Sequence, residues 1–88
     1  MEPITVCALV YVLKLENDRY YIGSTYNLNF RYAQHCGGQG AQYTRCHKPI
    51  SIEAVFPNAE KGLENKVTRE YMEKYGKDNV RGGSYCQV

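Results

Sequence analysis

The chain has 88 residues, with 11 Lys and Arg against 9 Asp and Glu and a formal charge of +2. That length accommodates one small domain, 1–88, near the lower limit for unaided folding, and so mild a charge permits nucleic-acid binding without arguing for it. A hydrophobic fraction of 43% supports a compact core, while no apolar run approaches the roughly 20 residues that cross a bilayer.

The start, Met1-Glu2-Pro3-Ile4, lacks a basic segment followed by a long apolar run, so export is not expected. Cysteines stand at 7, 36, 46 and 86. Without an export signal they read as reduced thiols of an intracellular, soluble protein rather than a disulfide framework. Cys7, within an apolar strand pattern, suits a buried free thiol. Nine of the eleven aromatics are tyrosine, and most of these are expected to cover a small core while offering hydroxyls at its edge.

Residues 5–15, rich in Val, Leu and Tyr, read as a largely buried strand. Glu16-Asn17-Asp18-Arg19 is a polar turn cluster, and Tyr20-Tyr21-Ile22 resumes strand character, so the two runs form a hairpin. Gly23 suits a bend or the close approach of another group. Asn27 is a cap for a helix over 28–36, which Gly37-Gly38 ends. Arg31 and His35, four apart, share one face of it, with Leu28, Phe30 and Ala33 available to the core. A turn is expected over 41–44, then a short basic cluster of Arg45, His47 and Lys48.

Residues 50–56 alternate Ile50, Ile52, Ala54 and Phe56 against Ser51, Glu53 and Val55, the pattern of a strand with one face buried. Pro57 ends it, and Asn58 offers a cap for a second helix through Tyr75. Leu63, Val67, Tyr71 and Tyr75 give that helix an apolar stripe, and Gly76 stops it. The remainder is a glycine-rich tail. The expected class is α+β: a three-stranded antiparallel sheet flanked by helices, in the order β-β-α-β-α.

On these elements Tyr11, Tyr21, Arg31, His35 and Glu64 form a kit suited to cutting a phosphodiester. Such chemistry asks for an acid to hold a metal, a proton acceptor, and fixed positive charge at the phosphate. The plainer alternatives are strand aromatics for Tyr11 and Tyr21 and a solvated helix face for Arg31 and His35. Among the acids of the second helix Glu64 is preferred, one turn before Thr68 and beside the Leu63–Val67 stripe, with Glu60, Glu70 and Glu73 as rivals.

In this order the residues resemble the GIY-YIG nuclease family over nearly the whole chain. The second signature tripeptide is intact as Tyr21-Ile22-Gly23. The first appears as Val10-Tyr11-Val12 and keeps only its tyrosine. Arg31, His35, Glu64 and Asn79 match the family's arginine, imidazole, acid and asparagine positions, and the segment from Glu70 to Tyr85 looks like a form seen in viral and phage-type members.

The resemblance implies a single catalytic domain that hydrolyses DNA to leave a 5′-phosphate, using Mg²⁺ or Mn²⁺. Glu64 would be the metal ligand, and Tyr11 would accept the proton of the attacking water. A free phenol titrates near pH ~10, so Arg31 or the metal would have to assist. Tyr21 and His35 are further candidates for proton handling. Gly23, Lys48, Asn79 and Arg81 are candidates for nucleic-acid contact. With no sequence-reading module attached, specificity would come from a homodimer, a partner protein or DNA shape.

Two rivals stand beside this reading. One is a nucleic-acid-binding module without catalysis. The other is a zinc-stabilised interaction domain built on His35-Cys36 and Cys46-His47, although neither pair has the gap usual between zinc ligands.

Overall fold

The computed structural model describes residues 8–85. Among these residues seven main elements follow one another: β1 (Leu9–Leu15), β2 (Arg19–Thr25), α1 (Leu28–Cys36), α2 (Gln42–Cys46), β3 (Pro49–Phe56), α3 (Leu63–Tyr75) and β4 (Val80–Gly82). Cys7, read as a buried strand thiol, lies outside the described residues, as does Cys86.

The hairpin forms as expected. β1 pairs antiparallel with β2, Tyr11 standing opposite Gly23 and Val12 opposite Ile22. A single 3₁₀ turn over Glu16–Asp18 joins them. Asn17 and Asp18 take positive φ there, at 64° and 57°, a conformation that their short polar side chains tolerate.

The sheet itself differs from expectation. Among the described residues it has four strands in the order β3-β1-β2-β4 and is mixed, because β4 runs parallel to β2. β4 has only three residues, Val80, Arg81 and Gly82, too few for alternation to reveal against the glycines around them. Val80 is nonetheless fully buried.

Central position explains why β1 reads as an unbroken apolar run: both its faces are covered. Val10 and Val12 pack with Tyr20, Ile22, Val67 and Val80 on the α3 side. Tyr11, Leu13 and Leu15 pack with Tyr21 and Tyr43 on the other side, under Leu28 and Tyr32 of α1. The sheet therefore has α3 on one face and α1 with α2 on the other. Of the nine tyrosines, Tyr11, Tyr20, Tyr21 and Tyr43 are buried and only Tyr26 and Tyr85 are exposed. Tyr20 stacks on Tyr75 at 4.3 Å between ring centroids, with Tyr71 at 5.5 Å.

α1 is bounded as its sequence dictates, and α3 stops at Gly76 as expected. Asn27 Oδ1 accepts from Phe30 N at 3.1 Å at the start of α1, and Gly37 closes it. The inward face of α1 is not the one its apolar residues suggest. Phe30 is 63% exposed and Ala33 is exposed, while His35 is fully buried and Arg31 half-buried. Leu28, Arg31, Tyr32 and His35, at helical spacing, turn toward the sheet. Polar groups occupy that face because a polar site lies beneath it.

α3 begins at Leu63 after Gly62, later than the Asn58 cap would place it. Asn58 instead adopts φ 55° in the turn after β3. β3 was expected to bury one face, but it is the sheet's edge, with Ile50, Ile52, Val55 and Phe56 all exposed. Its register against β1 shifts between Val12 and Leu13 and again between Lys14 and Leu15. Each shift inserts an unpaired residue and flips the faces that follow. Ile52 and Ala54 therefore stand on opposite sides of the sheet despite their spacing of two.

Candidate active site

Tyr11 and His35 come together between the sheet and α1. Tyr11 Oη lies 2.8 Å from His35 Nε2, and both side chains are buried. Tyr21, paired with Leu13 on β2 and on the same sheet face as Tyr11, sets its ring 5.2 Å from the imidazole. The other ring nitrogen, His35 Nδ1, is 2.9 Å from Thr44 Oγ1 in α2. That hydroxyl donates to Ala41 O at 2.8 Å.

The glycine of the Tyr21-Ile22-Gly23 string has a steric cause. A Cβ at Gly23 would sit 2.3 Å from Tyr11 Oη and 2.5 Å from Cζ, closer than any ordinary contact. Gly23 is buried beneath the phenol, so its place is to admit the Tyr11 ring rather than to meet a nucleic acid. Gly40 plays the same part for the imidazole, because a Cβ there would stand 2.2 Å from His35 Nδ1.

Electrostatics tie Arg31 and Glu64 to the same phenol. Burial raises the Tyr11 pKa above its usual value. Arg31 opposes the rise through hydrogen bonding and charge, and the Glu64 carboxylate adds to it. His35 is pushed down to about 4, by burial first and by the Arg31 charge second, so the imidazole is neutral at physiological pH. Arg31 Nη1 also donates to Gln34 Oε1 at 3.0 Å. Beside Arg31 opens a groove of about 450 Å³, bordered by Ser24, Thr25, Tyr26, Phe30 and Gln34.

Glu64 stands in the first turn of α3 and is half-buried. Its Oε2 accepts from Gly83 N at 2.9 Å, in the turn after β4, and Thr68 Oγ1 donates to its carbonyl at 2.7 Å. The carboxylate is thus aimed by backbone from a segment 19 residues away. Among the described residues, no group of three or more His, Cys, Asp or Glu could hold a metal together. One hard oxygen anion suits Mg²⁺ or Mn²⁺, which keep most of their waters, better than it suits zinc. The zinc alternative fares poorly for another reason: both His35 nitrogens are engaged by Tyr11 and Thr44.

The remaining candidates lie apart from this cluster or are engaged elsewhere. Asn79 Nδ2 donates to Tyr75 O at 2.9 Å, capping the end of α3. Arg81 donates to Lys77 O and Val80 O and rests over the Tyr43 ring at 5.4 Å. Lys48 is exposed, and its carbonyl accepts from Glu16 N. Thr44 and Gly40 were not singled out by sequence. Neither bears a signal apart from the partner that the fold brings to it.

The GIY-YIG catalytic domain model matches residues 7–81. The chain belongs to the GIY-YIG family. The family is one of nucleases, so membership indicates nuclease chemistry in general. Relatives include the UPF0213 protein in the glnA 3′ region of Neisseria gonorrhoeae, 40% identical over 57 residues, covering 65% of this chain and 63% of that protein. A UPF0213 protein of Cupriavidus pinatubonensis is 32% identical over 65 residues, 72% of either chain. One from Halalkalibacterium halodurans is 28% identical over 81 residues, 86% of either chain. The chain therefore spans less than two thirds of the gonococcal relative's length, and the names of these relatives state no substrate. No solved structure matches. Among the described residues, no helix is long and apolar enough to cross a membrane.

Proposed function

We propose that this chain is a single catalytic domain, a metal-dependent endonuclease that hydrolyses DNA phosphodiester bonds. The observation that carries the reading is the convergence on Tyr11. Its hydroxyl contacts a neutral, buried imidazole at 2.8 Å, and it feels the charges of both Arg31 and Glu64.

Tyr11 is the general base, and it acts without becoming a phenolate. Burial makes phenolate formation costly. As Tyr11 Oη takes a proton from the attacking water, its own proton passes to His35 Nε2; burial and Arg31 make that imidazole a weak base at rest, and the negative charge of the incoming phosphate offsets the cost of charging it. The hydroxide forms a bond to phosphorus, and the bond to the 3′ oxygen breaks to leave a 5′-phosphate. The departing oxygen takes a proton from solvent, and His35 returns its extra proton through Tyr11 to solvent, which restores the neutral pair. Arg31 neutralises charge that develops on the phosphate oxygens.

Tyr21 packs on the imidazole and keeps it in line with Tyr11. Glu64 would hold the divalent cation, which supplies positive charge at the phosphate when bound. Lys48 remains a candidate for phosphate contact, since it is exposed. A second copy, a partner protein or DNA shape would be candidates to supply specificity.

The test is incubation of the purified protein with plasmid, branched and single-stranded DNA in Mg²⁺ or Mn²⁺. Cleavage is expected, with loss on chelation and in Tyr11→Phe. Binding without cleavage under every metal would favour the inactive module instead.

A further inference from the structure

The Tyr11–His35 contact has a direction only if one imidazole tautomer is present. Thr44 decides which. A hydroxyl has a single proton to donate, and Thr44 Oγ1 lies 2.8 Å from Ala41 O, an atom that can only accept. Were that proton turned toward His35 Nδ1, two oxygens would face each other at 2.8 Å with no hydrogen between them. Directed at Ala41 O, it leaves a lone pair facing Nδ1 at 2.9 Å, so Nδ1 must carry the ring's proton. Nε2 is then a bare acceptor, and Tyr11 Oη donates to it.

We infer that Thr44 is a positioning residue that fixes His35 as the Nδ1–H tautomer and thereby sets the direction in which the Tyr11 proton leaves. The surroundings leave the imidazole little room to escape this arrangement. Thr44 and His35 are both fully buried. Gly40 closes over the Nδ1 edge so tightly that a Cβ would overlap it. The Tyr21 ring lies 5.2 Å from the imidazole centroid. Ala41 precedes α2 and Thr44 lies within it, so this short helix serves the site although it carries none of the catalytic residues named from sequence.

With the phenol proton held toward Nε2, the Tyr11 oxygen presents its lone pairs to Arg31 and to incoming water. In the opposite tautomer Nε2–H would donate to Tyr11, and the phenol would have no acceptor for the proton it must release. The catalytic consequence rests on the nuclease reading above; the tautomer does not.

The experiment has two arms. In the first, ¹⁵N-labelled wild-type protein at pH 7 gives long-range ¹H–¹⁵N spectra of the His35 ring. The Nδ1–H pattern is expected, and an Nε2–H pattern overturns the inference whatever the enzyme does. In the second, Thr44→Val, of nearly equal shape, is compared with Thr44→Ser, which keeps the hydroxyl.

The valine variant should lose or mix the Nδ1–H pattern, and its kcat should fall about 10–100-fold, as for other partners that orient a histidine, with KM within threefold. The serine variant should recover both. Valine retaining the wild-type pattern and kcat, or serine failing to restore them while folded, refutes the positioning role. Should the valine variant not fold, the wild-type spectrum and the serine variant still decide the matter. A wild type that shows Nδ1–H but cuts no substrate overturns the nuclease reading and leaves the tautomer assignment intact.

Discussion

Replacing Gly23 with alanine probes the site through a single added carbon. That Cβ would stand 2.3 Å from Tyr11 Oη and 2.5 Å from Cζ, where ordinary contacts begin near 3.4 Å. The phenol must therefore move by about 1 Å, yet it is buried and hydrogen-bonded to His35. Overpacking a filled core costs about 1–3 kcal/mol, and loss of the Tyr11–His35 bond adds about 1 kcal/mol. A total of about 2–4 kcal/mol lowers the melting temperature by roughly 10–30 °C in a domain of this size.

Gly23 does not occupy the positive-φ region, so the penalty is one of space, not of backbone conformation. Activity should fall about 100-fold, the order expected of a 1 Å misplacement of a reacting group. Thermal denaturation and a cleavage assay on Gly23→Ala, Tyr11→Phe and the double variant form a double-mutant cycle. The phenylalanine background removes the closest contact and the hydrogen bond, so the alanine penalty should shrink there, with a coupling of about 0.5–3 kcal/mol. A Gly23→Ala protein with unchanged melting temperature and cleavage rate, or penalties that add without coupling, would refute the packing account.

Further outcomes follow from the same contacts. Arg31→Ala should lower kcat/KM about 10²–10³-fold while the melting temperature changes little, because the guanidinium is only half-buried; a rate near wild type would remove Arg31 from the chemistry. NMR titration of His35 should give a midpoint about 4, with Arg31, Tyr11, Tyr21 and Thr44 facing the ring, and a midpoint near 6.5 would contradict its burial. Because the folded value lies below the unfolded one, this group's contribution is present above pH ~6.5 and fades as pH falls toward ~4, by about 3 kcal/mol at most. Urea denaturation at pH 7 and pH 4.5 reads that loss. Asn79→Ala should cost about 1 kcal/mol through its bond to Tyr75 O without changing affinity for DNA; weakened binding in a fully folded variant would return Asn79 to the interface.

Local chemistry made much of this architecture legible. The polar turn at 16–19, the Asn27 cap, the Gly37 and Gly76 stops, and the stripe from Leu63 to Tyr75 each depend on neighbours within one or two turns. What was missed depends on distant partners. β4 exists because Val80 reaches the core beside Tyr20, and two register shifts expose a β3 that alternation would have half-buried. Phe30 and His35 exchanged expected places for a related reason: hydropathy assumes that an inward helix face is apolar, whereas this one serves a polar site.

At that site Tyr11 and His35 were each named from sequence, but not as a pair; the fold brings them together. The glycine at 23 was noted as fit for close approach, but that the approaching group is Tyr11 becomes clear only from the strand register that sets the two opposite each other. Thr44 could not be found in advance, since one buried hydroxyl among polar neighbours carries no pattern.

Whether Tyr11, His35, Arg31 and Glu64 make one metal-dependent hydrolytic site is decided by Glu64→Gln. Glutamine keeps an oxygen to accept from Gly83 N but removes the charge that would hold a cation. The variant is expected to fold, with cleavage of DNA in saturating Mg²⁺ or Mn²⁺ at the level of chelated wild type. Cleavage by the folded variant at the wild-type rate, with the same metal dependence, would contradict such a site.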